Sequence, residues 1–173
     1  MKVLAFGATN SRHSINKQLA HYVAKQIPNA DISLLDLNDF EMPIYSEDRE
    51  NEQGIPAQAQ AFFHAIGEAD LIVVAFAEHN GSYTAAYKNL FDWASRIDGK
   101  VFQHKPVIML ATSPGPSGAQ SVLTSAQHSA PYFAAEVKGT LSLPSFHQHF
   151  DPTSGLVADN EFNQRLDTII SHL

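Results

Sequence analysis

The residues best suited to chemistry are Gly7-Ala8-Thr9-Asn10-Ser11-Arg12-His13-Ser14-Ile15-Asn16, a small, hydroxyl-rich stretch between the apolar run Val3–Phe6 and a helical pattern beginning at Ile15. A loop that leaves a parallel strand and enters a helix gathers free backbone N–H groups and the positive helix end at one point, where an anion is stabilised. Thr9, Ser11, Ser14 and Asn16 can add side-chain donors. Neither G-x-G-x-x-G nor a Gly-Lys-Ser/Thr ending is present, which favours one terminal phosphomonoester over a buried pyrophosphate or ATP. The same residues also read as an ordinary helix start capped by Ser14 or Asn10.

Two later stretches share this character. In Ala77-Glu78-His79-Asn80-Gly81-Ser82-Tyr83, His79 and Tyr83 offer planar faces to an aromatic ring, and Asn80-Gly81 permits the positive φ that turns an N–H toward it. An exposed turn before a helix is the competing reading of this segment, and of His79 in particular. Thr112-Ser113-Pro114-Gly115-Pro116-Ser117-Gly118 is stiffened by two prolines and freed at two glycines, so it suits a fixed array of N–H donors or a rigid turn into a helix. Trp93 and Phe91, on the helix after the second stretch, read as core or subunit interface rather than as a ligand platform.

Positioning these stretches requires alternating strands and helices. Val3–Phe6, Ile32–Leu35, Leu71–Phe76, Pro106–Thr112 and Val137–Leu143 read as strands; helical patterns follow Ile15, Pro56, Thr84 and Ala119 and close the chain at Leu173. The pattern predicts an α/β fold of five strands and five helices, a doubly wound parallel sheet in one domain over residues 1–173. Leu71–Phe76, apolar at every position, would be the central strand with helices on both faces. Asn38–Gly54 carries Pro43, several acidic residues and no sustained period, and reads as a surface connection. In such a sheet ligands bind outside the carboxyl ends of the strands, so the three loops after the first, third and fourth strands should meet there.

Composition narrows the chemistry. There is no cysteine, which excludes disulfides, thiolate metal sites and a cysteine nucleophile. A net charge of −7 disfavours nucleic acid as a partner. No secretory signal is evident and no apolar run approaches ~18 residues, so no membrane role and a cytoplasmic protein are expected. His147-Gln148-His149 with Asp151 reads as a surface turn rather than a metal site, and Glu47, Asp48, Glu50 and Glu52 as a solvated acidic patch. No Gly-x-Ser-x-Gly elbow supports a hydrolase.

Three loops in this order resemble those of the NAD(P)H-dependent FMN reductases of the flavodoxin-like fold, whose relatives reduce quinones, chromate and azo dyes. The resemblance rests on Ser11-Arg12-His13-Ser14-Ile15-Asn16, on Glu78-His79-Asn80 followed by Lys88-Asn89-Leu90-Phe91-Asp92-Trp93, on Ser113–Gly118, and on the ending Phe150-Asp151, Gly155-Leu156 and an acidic helix. It implies strand order 2-1-3-4-5, bound FMN, NADPH or NADH as electron donor, a small-molecule acceptor such as a quinone, free flavin or azo compound, and a homodimer or homotetramer. By the same resemblance, Ser11, Ser14, Ile15 and Asn16, joined by Thr9 or Arg12, would hold the phosphate. Glu78, His79, Asn80 and Gly81 would lie at the reactive side of the isoalloxazine, and Ser113, Pro114, Gly115, Ser117 and Gly118 at its pyrimidine end. No catalytic side chain and no metal are required, because the flavin carries the hydride. Ala77 and His79 stand where the family pattern has proline and tyrosine, which bears on ring stacking and acceptor approach. The alternatives are a flavodoxin-like carrier fed by a protein partner, or a scaffold without flavin.

Overall fold

The computed structural model describes residues 1–173. Its elements run β1 (Lys2–Ala8), α1 (Ile15–Gln26), β2 (Asp31–Leu35), a 3-10 turn (Leu37–Phe40), α2 (Glu47–Gln53), α3 (Ala57–Glu68), β3 (Leu71–Phe76), β4 (Glu78–His79), β5 (Ser82–Tyr83), α4 (Ala85–Ala94) and β6 (Pro106–Thr112). Then come α5 (Gln120–Ser129), a 3-10 turn (Ala130–Phe133), β7 (Glu136–Leu143), α6 (Phe146–His149), β8 (Phe150–Asp151), β9 (Leu156–Val157) and α7 (Asn160–Ile170). The main sheet has five parallel strands in the order β2-β1-β3-β6-β7, which is the expected 2-1-3-4-5.

Both faces of the sheet are covered, as the unbroken apolar run of β3 requires: all six of its residues are buried. On one face Phe6, Val74 and Met109 pack with Phe62 and Ile66 of α3, Leu90 of α4 and Leu123 of α5. On the other, Ala5, Val73 and Leu110 pack with Leu19 and Val23 of α1 and with Phe162 and Leu166 of α7. Alternation along each strand sends neighbouring residues to opposite layers. No helix is long and apolar enough to cross a membrane.

Three expectations need correction, the first being that the α-helices number seven rather than five, with α2 and the four-residue α6, which covers His147–His149 where a surface turn is expected, as the additions. The segment Asn38–Gly54 is not a plain connection, because it contains the 3-10 turn and α2. No residue of α2 is buried, so it carries no apolar stripe for a periodicity reading to find; Ser46 caps it by accepting from the Arg49 N–H, and Glu50 pairs at 2.9 Å with Arg96 in the turn after α4. The stretch after β3 is a hairpin rather than an open loop: Asn80 and Gly81, at φ 53° and 78°, join β4 to β5. Consecutive positive φ values match the right-handed twist of a two-residue hairpin.

Candidate functional site

The chain buries five polar side chains, those of Thr9, Ser14, Asn16, Thr84 and Thr112, and all five gather at the carboxyl edge of β1, β3 and β6. Buried polar groups need partners, and here the partners tie the loops together. Asn16 Nδ2 donates to the Thr112 carbonyl at 3.1 Å, and its Oδ1 accepts from the Thr112 N–H at 3.0 Å. Thr84 Oγ1 donates to the Ala8 carbonyl at 2.9 Å and accepts from the Tyr87 N–H, capping α4. Thr112 Oγ1 donates to the Leu143 carbonyl at 2.6 Å. The loops after β1, β3 and β6 are thus stitched to one another and to the end of β7.

Between them lies a cleft of about 300 Å³. The first loop lines it with Thr9, Ser11, His13, Ser14, Ile15 and Asn16, the second with Ala77, Glu78 and His79, and the third with Thr112, Ser113 and Pro114. Ser14 Oγ accepts from the Lys17 N–H at 3.0 Å, so it caps α1 and keeps its own proton to donate. The backbone N–H groups of Arg12, His13, Ser14, Ile15 and Asn16 have no hydrogen-bond partner in the protein, and neither has that of Ser113. A Cβ on Gly7 would sit 2.6 Å from the Lys17 nitrogen, so only glycine lets β1 approach the start of α1 this closely. The row of unsatisfied donors at a helix start, with Thr9 and Ser11 hydroxyls beside it, fits a phosphate. Glu78, the carboxylate on this cleft, is engaged elsewhere: its Oε2 accepts from the Val122 N–H at 2.8 Å.

Of the fifteen residues singled out in the sequence for cofactor binding, Thr9, Ser11, Ser14, Ile15, Asn16, Glu78, His79, Ser113 and Pro114 line the cleft. Arg12 does not; it borders an adjoining basic recess with Lys17 and His21, which shares His13 and Ser14 with the cleft. Asn80 and Gly81 form the exposed hairpin tip. Gly115, Ser117 and Gly118 are also absent from the lining. Gly118, at φ 58°, lies against Ser142 and Pro144, and its carbonyl accepts from Ser142 Oγ at 2.8 Å, so it serves the packing of α5 on β7. Asn16 spends its side-chain amide on Thr112 and leaves its backbone N–H for a ligand. Sequence reasoning missed Thr84 as a tie between loops, a role that its position just before a helix could only have suggested as a cap.

The motif Lys88-Asn89-x-x-Asp92-Trp93 also acquires a physical role. Asn89 Nδ2 and Trp93 Nε1 both donate to the Pro43 carbonyl, at 3.1 and 2.8 Å, and Asn89 Oδ1 accepts from the Tyr45 N–H. These bonds hold the Met42–Tyr45 segment against α4. Trp93 is a buried core residue, in agreement with the sequence reading.

Comparison with known proteins identifies the same group. Residues 1–148 match the family model for NADPH-dependent FMN reductase. A 2-hydroxy-1,4-benzoquinone reductase of Burkholderia sp is 35% identical over 119 residues, 68% of this chain and 63% of that protein. A quinone reductase of Escherichia coli K12 is 31% identical over 100 residues, 56% of this chain and 53% of that protein. The chain therefore matches between about half and two thirds of the length of these relatives. In fold it is similar to FerB, a flavoenzyme NAD(P)H:(acceptor) oxidoreductase from Paracoccus denitrificans, with a TM-score of 0.75 and 22% identity over 99% of this chain and 93% of that one. With the family match over most of its length and the expected strand order, the chain belongs to the NADPH-dependent FMN reductase family.

Proposed function

We propose that this protein binds FMN at the carboxyl edge of its sheet and uses NADPH or NADH to reduce a small-molecule acceptor such as a quinone, a free flavin or an azo compound. The observation that carries this reading is the convergence of three loops on one cleft with a row of unpartnered N–H groups at one end. The N–H groups of Ser14, Ile15 and Asn16 and the hydroxyls of Thr9, Ser11 and Ser14 would hold the phosphate. The Ser113 N–H would donate to the pyrimidine edge, where fixed donors favour the negative charge of a reduced ring. His79, exposed at the edge of the cleft, would border the approach of donor and acceptor. When bound, FMN supplies the ring that accepts a hydride and passes it on. Donor and acceptor would use the same open side of the cleft in turn. A homodimer or homotetramer belongs to the same proposal and follows from the family alone.

The test mixes purified protein, FMN and NADPH or NADH without oxygen and follows the yellow absorbance. Bleaching by the nicotinamide alone, and recovery on adding a quinone, is the expected result. Bound FMN that bleaches only with a reductase partner would identify an electron carrier instead; a protein that takes up no FMN would be neither.

A further inference from the structure

The lining of the cleft contains neither lysine nor arginine. The cations stand just beyond His13, in the adjoining recess of about 220 Å³ that Arg12, Lys17 and His21 border together with Gln18 and Leu34. Helix α1 places Lys17, His21 and Lys25 at four-residue spacing, along one face, and carries no acidic residue at all. The chain as a whole is acidic, with a net charge of −7, so this excess of positive charge is local.

Asp36, just after β2, pairs with Lys17 at 2.5 Å and cancels one of these charges. Arg12 and Lys25 are in no ion pair. The Arg12 guanidinium, unlike those of Arg49 and Arg96, donates no hydrogen bond within the protein. Burial, with the charges of Lys25 and Lys17 next, holds the His21 imidazole below its usual pKa, so positive charge is crowded there. A dianion entering the recess relieves that repulsion, and the planar fork of Arg12 matches a phosphate. His13 and His21 offer flat rings, and Leu34, 37% exposed, an apolar surface, against which a purine can rest. At this volume the recess falls short of the ~300–1,000 Å³ of a complete small-molecule site, so it suits one end of a ligand whose remainder lies in the cleft.

We propose that the recess receives the adenosine 2′-phosphate end of NADPH, and that Arg12 selects NADPH over NADH. The inference rests on the reading of the cleft as the flavin site, because a nicotinamide lying over the flavin leaves the far end of the dinucleotide to pass His13. Arg12 determines specificity and touches none of the reacting atoms.

The test titrates the FMN-loaded full chain with 2′,5′-ADP and with 5′-AMP, which differ by the 2′-phosphate alone, using calorimetry and the NMR signals of the His21 ring. In wild type, 2′,5′-ADP should bind about tenfold or more tighter than 5′-AMP, the worth of a charge-assisted hydrogen bond. It should also shift the His21 signals, which inorganic phosphate at the same concentration should leave in place. In Arg12→Gln that preference should collapse to about twofold or less, and the ratio of kcat/KM for NADPH to that for NADH should fall about tenfold or more. The FMN content of this variant, read from its absorbance, should match wild type. Equal affinity for the two fragments in FMN-loaded wild type, an equal His21 shift with inorganic phosphate, or a preference unchanged in Arg12→Gln would overturn this proposal alone. Loss of FMN from Arg12→Gln would put the arginine on the flavin phosphate and overturn it as well. A wild-type chain that takes up no FMN would overturn the flavin reading and this inference with it.

Discussion

The two walls of the cleft are built by different means. On one side Asn16 and Thr112 are buried and bond across 96 and 31 residues of sequence, so the loops after β1 and β6 cannot shift independently. On the other, the hairpin turns on Asn80-Gly81, and a Cβ added at Gly81 would meet nothing within 4 Å. A wall fixed by long-range buried bonds is pre-organised and suits affinity, whereas a hairpin with an exposed tip can change side chains at little cost to the fold. The difference teaches that cofactor retention should reside in the first wall and acceptor preference in the second.

The sharpest way to break that comparison is Asn16→Ala. It leaves the buried Thr112 N–H without a partner, and we expect a loss of about 2–4 kcal/mol of stability by urea denaturation, with FMN affinity falling by about 100-fold or more. Gly7→Ala comes next: its Cβ would press on the backbone of Lys17, which has no rotamer to yield, and a loss of about 1–3 kcal/mol is expected together with weaker FMN binding. Either variant retaining full affinity in a fluorescence titration would remove the first wall from the account.

A smaller effect is expected with pH. Asp36 is held to about 2 by the hydrogen bond from Lys17 and by the Asn38 N–H, so its contribution is fully present above the ordinary carboxylate pKa and is lost as pH falls from about 4 toward 2. With the pair partly exposed, this is on the order of 1 kcal/mol, and Asp36→Asn should flatten that part of the stability profile. The smallest expected change is His79→Ala. Stability should stay within about 0.5 kcal/mol and FMN affinity within about threefold, while kcat/KM for a quinone acceptor shifts with little change in cofactor content. A loss of FMN in this variant would erase the distinction between the walls.

Much of this architecture was legible in the residues. The continuous Leu71–Phe76 run announced a central parallel strand, and Gly7–Asn16 read as a strand-to-helix anion loop because its small and hydroxyl residues precede a regular apolar period. Ser14 caps α1, as one of its two readings has it, and also lines the cleft. What stayed hidden was of two kinds. Helix α2 has no buried face and rests on Ser46 and on the Glu50–Arg96 pair, so hydrophobic spacing could not find it. The Asn16–Thr112 and Thr84–Ala8 bonds join residues far apart in the chain, and only the folded sheet edge brings them together. Likewise, nothing in the motif of the first loop shows that Arg12 turns to the recess beside Lys17 and His21.

The most direct test of the central claim compares FMN with riboflavin, which differs only in lacking the phosphate, by quenching of flavin fluorescence on titration with the apoprotein. Charge-assisted hydrogen bonds from the start of α1 predict one FMN per chain and riboflavin weaker by about 100-fold or more. Equal affinity for the two flavins would contradict a phosphate site at Ser14–Asn16, and with it the assignment of the cleft.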